Sequence, residues 1–269
     1  MVDVPLDDRK PTLVAFRGGG FDPVPQPWVS WLCFAGFIVL WQAASTAGLI
    51  DPLFLPSPLA IAYSLEELAA SGELARHFAA SLMRIGAGWL IGATAGVLVG
   101  SLIGLFGLWR SAGLPFISAL FPIPKIALLP LLILWLGIGE ASKIATIALG
   151  VFFPMAISTY AGVDSVPRNL VRMAQSFDVP FLRIVANVIL PGMLPSVLAG
   201  CRISASIALI LVVAAEMIGA NLGIGALVLT AGNLMQTDKL MAGIAAISIL
   251  GLVIGAAISS LERALLSWR

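Results

Sequence analysis

The sequence predicts an all-α fold, a polytopic transmembrane helical bundle of about six spans. Three observations carry this. Hydrophobic residues make up 59% of the 269 residues and charged residues only 11%, with a mean hydropathy of +1.03, which excludes an ordinary soluble domain. Uncharged runs recur that approach the roughly 20 residues needed to cross a bilayer. One basic, amphipathic stretch, 167–200, interrupts them, and its charges exclude it from hydrocarbon. The net charge of +1 carries no information about acidic partners, and nucleic acid is not expected as one. Cys33 and Cys201 lie in apolar runs far apart in sequence and read as two buried free thiols.

Taken in order, residues 1–27 combine Arg9, Lys10, Arg17, three consecutive glycines and several prolines, the composition of a disordered cytoplasmic tail. The transmembrane domain is expected over 28–265. Residues 28–50 form the first span, long enough to be retained as a helix instead of cleaved as a signal peptide. Residues 51–77 read as a loop leading into an interfacial helix, with His77 at a helix start outside the membrane. The second span, 85–109, places Gly88, Gly92, Gly96, Gly100 and Gly104 at intervals of four. That spacing makes a slowly winding ridge on which another helix can approach closely.

The third span, 114–136, holds Pro115, Pro122, Pro124 and Pro130 and a single charge, Lys125. Prolines kink such a helix and free backbone carbonyls, which is tolerated beside a wet cavity. Pro124, Lys125 and Pro130 are therefore candidates for a pathway wall, although Lys125 could equally sit near the membrane surface and snorkel. A fourth span covers 144–163. After the polar stretch, one long helix is expected over about 194–217 despite Arg202, then a Gly219/Gly223/Gly225 turn with a short re-entrant or interfacial helix, then a last span over 240–261. Six spans with both termini cytoplasmic put nine basic residues inside, among them Arg110, Arg168, Arg172, Arg183, Arg263 and Arg269, as the positive-inside rule requires. The outer side would hold Glu140, Lys143, Asp238 and Lys239.

Within the polar stretch, Leu170, Met173, Ala174 and Phe177 recur at i, i+3, i+4 and i+7, so a short amphipathic helix is expected, followed by a bend and a second short helix near Phe181 that Asp178 could cap. This stretch resembles the coupling loop (165–186) of ABC importer permeases, whose signature is Glu-Ala-Ala, three residues, Gly, nine residues, Ile, one residue, Leu-Pro. Leu190 and Pro191 anchor the match, with Val188 on the Ile, Asp178 on the Gly, and Arg172, Met173 and Ala174 on the Glu-Ala-Ala. The run PIPKIALLPLLILWLGIGEASKI (122–144) and the run AAEMIGANLGIGALV (214–228) are similar to those of the aliphatic sulfonate, taurine and nitrate branch.

That resemblance implies a type I ABC importer permease fold in the bacterial inner membrane and transport of a small anion such as a sulfonate, taurine or nitrate. A thiamine or pyrimidine precursor is the alternative. It also implies a second copy of the chain, an ATPase subunit that binds ATP, and a periplasmic or lipid-anchored solute-binding protein. Leu170, Arg172, Met173, Ala174, Phe177, Asp178, Leu190 and Pro191 would then couple to the ATPase. The residues themselves agree on one point: no Gly-x-x-x-x-Gly-Lys-Ser/Thr phosphate loop occurs, so this chain is expected to bind no cofactor and to draw energy from a partner. No carboxylate-histidine cluster suggests a metal or an enzyme. Arg84 and Glu216, near opposite ends of their spans, are further gate candidates, because ionisable groups in a membrane are costly. A stand-alone secondary transporter would want paired intramembrane carboxylates or an inverted repeat.

Overall fold

The computed structural model describes residues 27–266, so all of the expected tail except Pro27, with Arg9, Lys10 and Arg17, and the terminal Arg269 lie outside the described residues. The chain divides into two compact units, 1–50 and 51–269. The first holds α1 (Pro27–Thr46), uncharged along its whole length. The second holds α2 (Pro58–Ala70), α3 (Glu73–Leu105), α4 (Gly107–Leu120), a 3-10 turn (Lys125–Leu128), α5 (Leu129–Leu136), α6 (Glu140–Ser165), α7 (Arg168–Ser176), α8 (Phe181–Ile184), a π turn (Val185–Ile189), α9 (Leu190–Gly219), α10 (Ile224–Asn233) and α11 (Thr237–Leu265). No strand occurs among the described residues. Five helices are long and apolar enough to cross a membrane, or six if α4 and the segment through α5 count as one broken span.

Two spans differ from expectation for clear physical reasons. The third is not one kinked helix, because α4 and the following segment meet at 88°. Pro122 and Pro124 fall in the break, where neither can supply the N–H that a continuous helix needs. The second span starts at Glu73, twelve residues early, and so takes His77, Ser81 and Arg84 into the helix, where all three are buried. Elsewhere the reading holds. α9 runs unbroken past Pro191, Pro195 and Arg202, and the ten residues of α10 rise only about 15 Å, too short to cross.

The glycine ridge of α3 packs on α6. An added Cβ on Gly88 would lie 2.7 Å from Ile147 Cβ, on Gly96 2.6 Å from Met155 Cβ, on Gly100 2.7 Å from Thr159 Cβ and on Gly104 2.6 Å from Val163 Cβ. Ile147, Val151, Met155, Thr159 and Val163 also recur every four residues, so the two helices run parallel with matched i±4 ridges. A neighbouring face of α6, about 100° round the helix, meets α9 running the other way, with Gly162 against Ser196 and Met193, and Gly200 against Ser158. The core forms on both sides of α6, from Ile85, Ile147, Val151, Met155, Leu211 and Val212. Leu68 of α2, Leu227 of α10 and Ala242 of α11 make a smaller cluster at the edge. The two thiols are free, but Cys33 is exposed and Cys201 only half-buried, so the expectation of two buried cysteines fails for the first.

Candidate functional site

Two regions carry the chain's polar chemistry. The first is a buried charge node where α3, α6, α9 and the turn before α10 meet. Arg84 donates from Nε and Nη2 to both carboxylate oxygens of Glu140, at 2.6 and 2.7 Å, and from Nη1 to Glu216 Oε1 and to the Leu222 carbonyl, each at 2.6 Å. Glu216, whose side chain is fully buried, also accepts from Ser81 Oγ at 2.8 Å and from the Gly225 N–H at 2.9 Å. Ser81 in turn accepts from the Ile224 N–H, and His77 Nδ1 lies 2.7 Å from the Gly223 carbonyl. Lys143 is buried beside them and donates to the Gly139 carbonyl.

The node fixes the short helix. Gly223 has φ +133°, and a Cβ there would collide with the Glu216 carboxylate, so the backbone can pass over the charge only because this residue is glycine. Arg84 and Glu216 are thus brought together as an ion pair, in which each guanidinium nitrogen and each carboxylate oxygen has a protein partner. His77, expected at a helix start, is the fifth residue of α3 and is buried on this turn. In the sequence Glu140 reads only as an outer-side charge and Gly225 only as part of a glycine turn, and nothing singles out Ser81. The signal was available: His77, Ser81, Arg84 and Gly88 follow at i, i+4, i+7 and i+11, so the polar residues continue the face of the glycine ridge.

Lys125 does not join the node. Its ammonium donates to the carbonyls of Leu120, Phe121 and Ile123 at 2.7–2.9 Å, and stands 4.3 Å from the Phe153 ring centroid. Two of its protons therefore tie off the end of α4, where a helix terminus leaves orphan carbonyls, and the third bonds within the break that follows. Pro124 and Pro130 are exposed beside it, Pro124 in the break and Pro130 in the first turn of α5.

The second region is α7 and its surroundings. Val171 and Ala174 face inward onto Val166, Ile184, Ile189 and Met193. Leu170, Met173 and Phe177 face outward, 41%, 56% and 75% exposed, with Arg168 and Arg172 beside them on the surface. Ala174, read as part of the outward face, belongs to the inner one. Asp178 does not cap α8 with its side chain; the residue before α8 is Pro180, with no side-chain cap. Instead Asp178 takes φ +55°, its N–H reaches the Gln175 carbonyl at 3.0 Å, and the Val179 N–H reaches Ala174 at 3.1 Å. This is a Schellman end to α7, with Asp in the left-handed position where Gly is usual. Leu190 and Pro191 are exposed at the start of α9. A cleft of about 380 Å³ runs under α7, lined by Gly104, Asp164, Arg168, Arg172 and Gln175 among others, and Arg110 bridges Asp164 through two hydrogen bonds at 2.6 and 2.7 Å.

Among the described residues no group of His, Cys, Asp and Glu could hold a metal ion. What the arrangement offers is a rigid bundle with a locked charge node at one end and an open apolar helix at the other. The chain is 38% identical over 239 residues to the taurine transport system permease protein TauC of Escherichia coli, covering 87% of each chain. It is 37% identical over 235 residues to SsuC of Bacillus subtilis, named for aliphatic sulfonates transport, covering 87% of this chain and 85% of that one. In fold it matches an inward-facing structure of the MetNI methionine ABC transporter, with a TM-score of 0.56 at 21% identity over 70% of this chain and 91% of that one. Residues 92–267 match the family model of binding-protein-dependent transport system inner membrane components, and with these relatives the chain belongs to that family as an ABC transporter permease, a membrane transport component and not an enzyme.

Proposed function

We propose that this chain is the translocating subunit of an importer for short sulfonates such as taurine, working as a pair of identical subunits driven by a separate ATPase and supplied by a solute-binding protein. The observation that carries the reading is the outer face of α7. Leu170, Met173 and Phe177 are left exposed on a helix whose other face is packed, an amphipathic helix prepared for a groove. Arg172 beside them gives the contact a charge, and Asp178 forms the bend that ends the helix. The substrate class follows from the names of the relatives at 37–38% identity. Basic residues at the α7 end support, through the positive-inside rule, a cytoplasmic position for that end and for both termini.

ATP binding in the partner can move the bundle only if α7 fits the two ATPase geometries unequally. The direct test is purification of the detergent-solubilised chain with Arg172→Glu and Phe177→Asp. Wild type should carry an ATPase subunit and the variant should lose it while eluting as a folded protein. A wild type that carries no ATPase would instead favour a gradient-driven transporter. Uptake of labelled taurine by cells producing the whole assembly, against cells lacking this chain, tests the substrate separately.

A further inference from the structure

The cleft under α7 lies where two spans leave the membrane. Along α6, Lys143 and Asp164 stand 21 residues apart, about 31 Å of helix and close to the thickness of a hydrocarbon layer. Asp164 therefore marks one membrane surface. The floor of the cleft is made there, by Gly104 and Leu105 at the end of α3 and by Val163 and Asp164 at the end of α6, and α7 forms its roof. At about 380 Å³ the space between them has the size of a small-molecule site.

The two faces of α7 point apart. At about 100° per residue, Arg168 and Gln175 stand about 170° round the helix from the middle of the Leu170, Met173 and Phe177 face, and Arg172 lies between the two. A helix lying on a bilayer turns its apolar face toward the lipid and its basic residues away. Here it is the basic side that lines the cleft. The cleft's one carboxylate is Asp164, and Arg110 holds both of its oxygens. Arg168 and Arg172 have no hydrogen-bond or ion-pair partner among the described residues. Two guanidinium charges thus line a cleft whose acid is already neutralised. The wall across from them, made by Leu105, Ile184 and Ile189, is apolar. A ligand that suits both walls carries a phosphate, an uncharged polar head and a hydrocarbon stem.

We propose that this cleft binds the headgroup of an anionic phospholipid, with Arg168 and Arg172 on the phosphate, Gln175 on the hydroxyls of a glycerol head, and the start of the acyl stem against the apolar wall. Phosphatidylglycerol meets each of these demands. Phosphatidylethanolamine does not, because its ammonium would enter a basic cleft with no free carboxylate. The proposal rests on the membrane position of the chain and not on its ATPase or its solute, so it stands or falls separately from both.

The test is lipid binding to the full-length chain, stripped of lipid in detergent, read by native mass spectrometry and by the rise in melting temperature on titration. Phosphatidylglycerol should bind about tenfold more tightly than phosphatidylethanolamine with the same acyl chains. Arg168→Gln should weaken phosphatidylglycerol about tenfold and leave phosphatidylethanolamine unchanged, whereas Arg168→Lys keeps the charge and should lose no more than about threefold. Gln175→Glu supplies a free carboxylate, and it should weaken phosphatidylglycerol and tighten phosphatidylethanolamine by about threefold each. A merely misfolded variant would lose both lipids, so opposite shifts identify the cleft.

Equal binding of the two lipids would overturn the proposal, as would phosphatidylglycerol binding indifferent to both positions. So would inorganic phosphate that raises the melting temperature as much as the lipid does, which would make the cleft a site for free phosphate. The chain purified with its ATPase should keep its phosphatidylglycerol. Release of the lipid there would assign the cleft to the ATPase contact and overturn the proposal. If no ATPase co-purifies, the coupling reading fails and the lipid result is unaffected.

Discussion

The node around Arg84 and the helix α7 are both polar interruptions of an apolar chain, and they have opposite local balances. At the node every strong donor and acceptor meets a protein partner, down to the Gly225 N–H on Glu216. At α7 three large apolar side chains stay 41–75% exposed. A satisfied network fixes one arrangement, whereas an unsatisfied surface invites a second molecule. The costliest residues for folding and the costliest for coupling should therefore be different residues.

The largest expected effect is at the node. Glu216→Leu removes the fully buried partner of Arg84 and frees Ser81 and the Gly225 N–H, which should cost about 3–5 kcal/mol. A thermal melt followed by size-exclusion chromatography in detergent reads it, and a melt unchanged from wild type would show that the node does not hold α10. Next comes the seam. Gly96→Leu forces a side chain into a backbone contact that leaves 2.6 Å to Met155 Cβ, a strain of roughly 1–3 kcal/mol or more that should lower the same melting temperature.

Asp178 gives a smaller effect with a sign. At φ +55°, Asp178→Val should lose about 1–2 kcal/mol while Asp178→Gly should gain up to about 1 kcal/mol. Equal melting of the two would mean that the bend is not held in the left-handed region. The smallest stability effect is at α7 itself. Met173→Ser with Phe177→Ser should change stability by no more than about 0.5 kcal/mol, yet abolish co-purification of the ATPase. A variant that keeps its ATPase would erase the contrast between the two regions.

Much of this was legible in the sequence where a period was strict. The five glycines at intervals of four named the face of α3 that packs, and Leu170, Met173 and Phe177 named the outward face of α7. The misses have a common cause, which is that sequence pattern does not say which polar group finds a partner. Arg84 and Glu216 are far apart in the chain, and nothing local shows that they meet. His77 reads as a residue at a helix start, and no local pattern shows that it packs on Gly223, 146 residues later. Ala174 fell on the wrong side because a small residue fits either face of an amphipathic helix. The 88° break in the third span was visible only as too many prolines, since their number does not say where the axis turns.

The parallel seam between α3 and α6 has a mechanical consequence. α6 is continuous for 26 residues, about 39 Å, and α7 begins just beyond its end. Held along its length by interlocked ridges, and weakened in its backbone bonding only at Pro154, it is built to carry a displacement of α7 toward Glu140 on the Arg84 node. The give lies in the joints, at the elbow between α4 and α5 and at the π turn entering α9, where regular helical bonding is interrupted.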